Sequence, residues 1–135
     1  MKEPLLAVMA WVSDQELNEL HAAAFGHEIA AVPWMERLKR HSLFWVTARR
    51  QGALIGFVNV IGDGGAHAVL LDTCVHPHAQ GEGIGRALVR SAADEAERLG
   101  CQWLHADYEP DLVDFYERVS GLRHTEAGLL RLGSG

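Results

Sequence analysis

The sequence predicts a mixed α/β domain of the α+β kind, with a central, mostly antiparallel twisted sheet flanked by helices, spanning residues 1–135 as one unit. Three observations carry this expectation. Apolar patterns of period two and of period 3.6 alternate along the chain, so strands and helices are interleaved. The β-branched and aromatic runs Leu43 to Arg49 and Ala53 to Ile61 have Gln51-Gly52 between them as a turn, which reads as an antiparallel hairpin. A glycine-rich loop, Gln80 to Gly85, stands between a strand pattern and the clearest amphipathic helix pattern in the chain.

Leu5 to Met9 reads as a first strand. Ser13 and Glu16 then form a capping box, and Val12 and Leu17 its hydrophobic staple, so a helix starts here. Gly26 stops it by accepting the left-handed conformation. A short second helix starts near Pro33 and buries Trp34 and Leu38. After the hairpin, Gly62-Asp63-Gly64-Gly65 makes a turn into a strand from Ala66 to Val75, whose centre Ala68-Val69-Leu70-Leu71 predicts burial on both faces. Pro77 ends that strand.

Beyond the glycine loop, Ile84, Leu88, Ala92, Ala96 and Leu99 form one apolar stripe closed by Gly100. Trp103 to Ala106 reads as a strand, Leu112 to Ser120 as a helix with Gly121 beyond it, and Arg123 to Leu132 as a final hairpin or strand pair.

The chain has 135 residues, 48% of them hydrophobic and 22% charged, a balance that can offset ordering entropy by burying one core. A net charge of -6 argues against nucleic acid as a partner, because phosphate backbones are held by clustered Lys and Arg. An amine-bearing partner suits it better. Pro4 to Val12 is too short to span a bilayer, so a soluble cytoplasmic protein is expected, with no membrane contact. Cys74 and Cys101 lack metal or disulfide spacing and read as buried free thiols.

The glycine loop carries the chemistry. N–H groups that open a helix lack internal partners and sit at the positive end of its dipole, so an anion binds there. Gly81, Gly83 and Gly85 let a phosphate oxygen approach the backbone. The dinucleotide fingerprint fails, since Arg86 and Leu88 stand where its third glycine is needed, and the Walker pattern fails at Arg86-Ala87. What fits is Gln-x-x-Gly-x-Gly, written Gln80-Gly81-Glu82-Gly83-Ile84-Gly85.

On that motif, on Val75-His76-Pro77 before it and Arg86-Ala87-Leu88 after it, and on Asp114 to Leu122, the chain resembles the GNAT family of acetyl-CoA-dependent N-acetyltransferases. The resemblance implies acetyl-CoA as co-substrate, bound at the strand, loop and helix that follow the fourth strand. Backbone groups of Cys74 and Val75 would run beside the pantetheine arm, with Gln80, Gly81, Glu82, Gly83, Ile84, Gly85 and Arg86 around the pyrophosphate. Tyr116 would lie by the thioester. Glu109 departs from the asparagine that many members carry near that point.

Attack of an amine on a thioester needs a neutral amine, stabilisation of the carbonyl oxygen, and a proton for the leaving thiolate. A backbone N–H near Val75 would meet the oxygen. A tyrosine hydroxyl ordinarily keeps its proton at neutral pH, so Tyr116 suits the acid; its alternative is a packed core aromatic on a stripe with Leu112, Phe115 and Val119. Asp72, three residues before Val75, is the candidate base, or else a satisfied structural carboxylate; Glu28, Glu82 and Glu126 are further carboxylates without a placed role. His76 and His78 have the spacing of some metal pairs but no third ligand, so no metal is expected. Arg86 can reach a phosphate, while Arg90, one turn on, reads as a solvated face.

Acceptor walls would come from the two early helices and the final strand pair, where Phe25, His27, Glu28 and Trp34 stand. The acceptor is a primary amine of a small molecule, peptide or protein, and a homodimer is compatible with the sequence. A noncatalytic module that senses acetyl-CoA is the second reading.

Overall fold

The computed structural model describes residues 3–133. Strands β1 (Leu5–Val8), β2 (Phe44–Arg50), β3 (Ala53–Gly62), β4 (His67–Val75) and β5 (Trp103–Ala106) form one sheet in sequential order, with helices α1 (Asp14–Phe25), α2 (Trp34–His41) and α3 (Ile84–Arg98) around it. The first four strands pair antiparallel, and β5 joins β4 in parallel after the α3 crossover.

Local chemistry sets most boundaries as the sequence predicts. The Ser13 hydroxyl accepts from the Glu16 N–H at 3.0 Å and the Glu16 carboxylate accepts from the Ser13 N–H at 2.8 Å, completing the capping box. Arg49 then clamps that same carboxylate at 2.6 Å, tying α1 to β2 and holding the Glu16 carboxyl below its usual range. Gly26 ends α1 at φ 72. Gln51 and Gly52 both take positive φ, 51 and 83, as a tight hairpin turn of this hand requires.

The sheet buries both faces. On one, α3 lays Ile84, Leu88, Val89, Ala92 and Ala96 against Phe44, Val46, Val58, Val60, Ala68 and Leu70. On the other, α1 and α2 pack Leu17, Leu20, Trp34 and Leu38 on Trp45, Phe57 and Cys74. Gly56 lies where α3 packs tightly on β3: a Cβ there would sit 3.0 Å from Leu88 Cδ1 and 3.2 Å from both Ala48 Cβ and Ile84 Cγ2. Gly56→Ala is therefore expected to destabilise the fold by about 1–3 kcal/mol through overpacking, seen as a lower urea midpoint at unchanged m.

Four expectations need correction. Leu71 is 37% exposed and Val69 only partly covered; only Ala68 and Leu70, which join the cluster under α3, are buried there. Leu99 is exposed, since it already forms the C-cap of α3. Cys74 is buried as expected, but Cys101 is only partly covered; both thiols are free. Residues 123–132 form no strand, and Leu129, Leu130 and Leu132 are more than 80% exposed. A strand needs a ladder partner, and this segment instead crosses the mouth of a cleft, with His124 to Ala127 and Leu129 lining it.

The late helix differs in winding. Pro110–Leu112 is a 3-10 turn and Asp114–Val119 a π-helical turn, in which the Ser120 N–H donates to the Phe115 carbonyl five residues back at 2.9 Å. Such wide turns recur at functional sites because they re-aim side chains.

Candidate active site

The site begins where β4 stops behaving as a regular strand. Phe57 pairs with Cys74 and Asn59 with Leu71, so Asp72 and Thr73 stand opposite Val58 alone, a β-bulge. Asp72 takes φ 57 within it, a left-handed conformation that aspartate tolerates better than most residues. The bulge also shifts the alternation by one residue, which turns Cys74 toward the α1–α2 core. Burial there, and then the nearby Asp72 charge, push the Cys74 thiol far above its usual range.

Pairing of β4 with β5 ends at Leu70 and Ala106, while β4 continues to Val75. The two strands therefore part, leaving the β5-facing edge of residues 71–75 without a strand partner. The His76 N–H donates across to the Ile55 carbonyl at 2.8 Å, so by strand alternation the Val75 N–H and carbonyl turn to the opposite, opened side. There the Gln80 side-chain amide donates to the Val75 carbonyl at 3.2 Å and ties the loop to the strand end.

Gly81 and Gly83 take φ 81 and 85, and a Cβ built on either meets nothing within 4 Å. The cradle is thus open toward solvent, and α3 starts at Gly83 with no side-chain cap. The N–H groups of Ile84, Gly85 and Arg86 lack helical partners, since the first helical bond runs from Ala87 to Gly83. Gly85 has a different reason: a Cβ there would sit 3.1 Å from the Phe115 ring. Glu82, whose charge would oppose an anion, is bound by Arg50 at 2.6 Å.

Two openings flank this junction. One, of about 530 Å³, is lined by Asp72 and Thr73 of β4, Tyr108, Glu109, Tyr116 and the strap at residues 124–127. The other, of about 550 Å³, is bounded by Gly83, Arg86 and Arg90 of α3 and by Val119 to Leu122. Phe115 packs against Gly85. The structure thus brings Tyr116 and Asp72 to one cleft and Gly83 and Arg86 to its neighbour. Ile84 is buried under the loop, and Cys74 pairs with Phe57 of β3.

Tyr116 is 7% exposed, stacked on Tyr108 at 4.7 Å and edge-on to Phe115 at 4.9 Å. Its ring belongs to the core cluster, yet its hydroxyl makes no hydrogen bond to another described residue. Tyr108 differs: it donates to the Glu117 carboxylate at 2.6 Å, which pushes its phenol up to about 12. His124 bonds the same carboxylate at 2.8 Å; that contact raises the His124 imidazole above its ordinary value and, with the Tyr108 bond, lowers Glu117. The strap is held to the π-helical turn by this pair.

His76 and His78 stack at 5.0 Å, the His76 ring accepting from the His78 N–H, so they shape the 3-10 turn at Pro77–Ala79. Among the described residues no group of three or more His, Cys, Asp or Glu could hold a metal, and no helix is long and apolar enough to cross a membrane. Arg90 faces Asp94 at 3.9 Å on an exposed surface, while Glu126 is wholly exposed on the strap. Sequence reasoning missed Tyr108, Glu117, His124 and His21. Single polar residues carry no pattern, and only the fold brings Tyr108 and His124 to the cleft and sets Glu117 and His21 against residues that line it.

The sheet parts at a bulged strand beside an uncapped helix start in an open glycine cradle, an arrangement whose exposed N–H groups suit an anion. The comparisons give the family. Residues 6–122 match the model of the acetyltransferase (GNAT) family, and the chain belongs to that family. It is 25% identical over 104 residues, 69% of this chain and 60% of the relative, to the uncharacterized N-acetyltransferase ycf52 of Pyropia yezoensis. It is 33% identical over 88 residues, 60% of this chain and 44% of the relative, to serotonin N-acetyltransferase 2, chloroplastic, of Oryza sativa subsp. japonica. The chain thus spans less than two thirds of the length of these curated relatives.

Solved structures share the fold. Glucosamine-6-phosphate N-acetyltransferase from Arabidopsis thaliana superposes with a TM-score of 0.79 at 14% identity, covering 96% of this chain and 99% of that one. The GNAT family N-acetyltransferase YhbS from Escherichia coli, in complex with CoA, gives 0.71 at 17% identity, covering 85% of this chain and 68% of that one.

Proposed function

We propose that this chain is an acetyl-CoA-dependent N-acetyltransferase acting on a primary amine. One observation supports the reading: an open cradle whose Ile84, Gly85 and Arg86 N–H groups lack helical partners adjoins a strand end whose Val75 N–H faces away from β3, two residues beyond the part of β4 that lines a cleft holding both Tyr116 and Asp72. The residues present suit the coenzyme. Gly81 and Gly83 with the N–H groups of Ile84, Gly85 and Arg86 would hold the pyrophosphate, and the Arg86 side chain would add a charge-assisted contact. Gln80 would keep the loop against β4, and Arg50 would neutralise Glu82.

Bound acetyl-CoA would supply an activated acetyl thioester. The chain's own contributions are positional and protonic. The Val75 N–H donates a hydrogen bond to a carbonyl oxygen in the opened edge of β4. The Tyr116 hydroxyl, without a competing partner among the described residues, holds a proton that it can give to a sulfur leaving toward it. Asp72 accepts a proton from an ammonium in the cleft. The carboxylates of Asp72, Asp107, Glu109 and Glu126 line that cleft with no Lys or Arg among its lining residues, which favours a cationic acceptor over an anionic one.

The test is acetylation of a library of primary amines by the chain with acetyl-CoA, read as thiol release and product mass. Turnover above the uncatalysed rate on at least one amine is expected. Saturable acetyl-CoA binding without turnover on any amine would favour the sensing module instead.

A further inference from the structure

Resting on the reading of the cleft as the acceptor site, we propose that Asp72, His21 and His27 form a proton relay that takes the acceptor's ammonium proton from the cleft to solvent. The three groups lie in a line. Asp72 Oδ1 is 3.1 Å from His21 Nε2, His21 Nδ1 is 2.7 Å from His27 Nε2, and His27 Nδ1 is 2.6 Å from the Glu28 carbonyl. The inner end lines the cleft, His21 is half-buried under Phe25 and Trp34, and His27 is exposed.

The proton count follows from the partners. A carbonyl only accepts, so His27 donates from Nδ1. Three hydrogen bonds then need three protons, whereas two neutral imidazoles and a carboxylate bring two. Whichever tautomers are chosen, the fully bonded line carries one proton more than its resting groups would, and no net charge. Removing that proton leaves a net charge of -1 and one junction without a proton; in the tautomer that carries the His21 proton on Nδ1, the open junction is the one between Asp72 and His21, at the end that faces the cleft.

The open form is a base already aimed at the acceptor. An N–H bond of the ammonium breaks, an O–H bond forms at Asp72, and the proton passes to His21 Nε2; His21 gives its Nδ1 proton to His27 Nε2, and the Nδ1–H bond of His27 breaks as its contact with the Glu28 carbonyl opens, releasing that proton to water. The nitrogen keeps its electron pair, and no oxidant or reductant is involved. The titratable groups facing His21 are Asp72 of β4 and His27 beyond α1, and its remaining ring neighbours are Phe25 and Trp34. His21 and His27 are positioning residues, since only Asp72 would touch the acceptor.

The relay matters only for acceptors that arrive protonated. Two probes separate the cases at neutral pH: benzylamine, mostly an ammonium, and aniline, a neutral amine. kcat and KM are measured for both with the full chain and with Asp72→Asn, His21→Phe and His27→Phe, the phenylalanines preserving the ring contacts. For benzylamine, His21→Phe is expected to lower kcat by about 10- to 100-fold and to remove the acid limb of its pH profile, with KM within about 3-fold. Aniline should change by less than about 3-fold. Equal losses on both probes, or no loss, would overturn the relay as a merely structural tie.

Loss in Asp72→Asn without loss in either histidine variant would remove the relay and leave Asp72 as base; no loss in Asp72→Asn would remove the base itself. Imidazole 15N spectra across pH give a readout that needs no acceptor. The ring signals of both His21 and His27 should shift in Asp72→Asn, and histidine signals that do not respond to that substitution would contradict the hydrogen-bonded line.

Discussion

Tyr116→Phe is expected to lower turnover by about 100- to 10,000-fold while leaving acetyl-CoA affinity nearly unchanged, because a positioned acid contributes on that scale and the ring is retained. The structure sharpens the contrast. Tyr116 is at once a core residue stacked on Tyr108 and the owner of a hydroxyl without a hydrogen-bond partner among the described residues. Phenylalanine preserves the stacking and the buried area, so thermal stability should barely move. The measurement is kcat and coenzyme affinity determined separately, with chemistry shown to limit the rate. Wild-type turnover would mean that the tyrosine only packs. Tyr108 is no substitute acid, since its hydroxyl is already given to Glu117.

Gly83→Glu is expected to weaken acetyl-CoA binding by at least about 100-fold, since a carboxylate would occupy the cradle and add like charge at the start of α3. The site has room for the side chain, as nothing lies within 4 Å of a Cβ there. Gly83 sits at φ 85, so part of the effect is backbone strain of roughly 1 kcal/mol. Gly83→Ala carries that strain without the charge and should lose far less affinity. Equal losses in both variants, by calorimetry on folded protein, would assign the effect to the backbone and not to the phosphate site.

Much of this fold was legible because its signals are local. The capping box at Ser13 and Glu16, the left-handed stop at Gly26, the turn at Gln51-Gly52 and the stripe of α3 each depend on residues within one or two turns. The glycine loop was legible for the same reason, and the family likeness rested on it. What stayed hidden depends on partners distant in sequence. The bulge at Asp72 is a mismatch between two strands, invisible in either alone. The bond from His21 to Asp72 spans 51 positions. Gly85 reads as a phosphate glycine until Phe115, thirty residues on, is seen against it. The strand expected over residues 123–132 failed because alternation and apolar content give no ladder partner. Those residues cross the cleft instead, fixed by His124 on Glu117.

The central claim is that acetyl-CoA binds at the loop from Gln80 to Arg86, and isothermal titration of the chain with acetyl-CoA tests it most directly. One saturable site per chain is predicted, with a melting temperature that rises with ligand concentration, because a ligand held only by the folded state stabilises it by about 2.7 kcal/mol at a hundredfold excess over Kd. Absence of both heat and thermal shift at millimolar acetyl-CoA would contradict it.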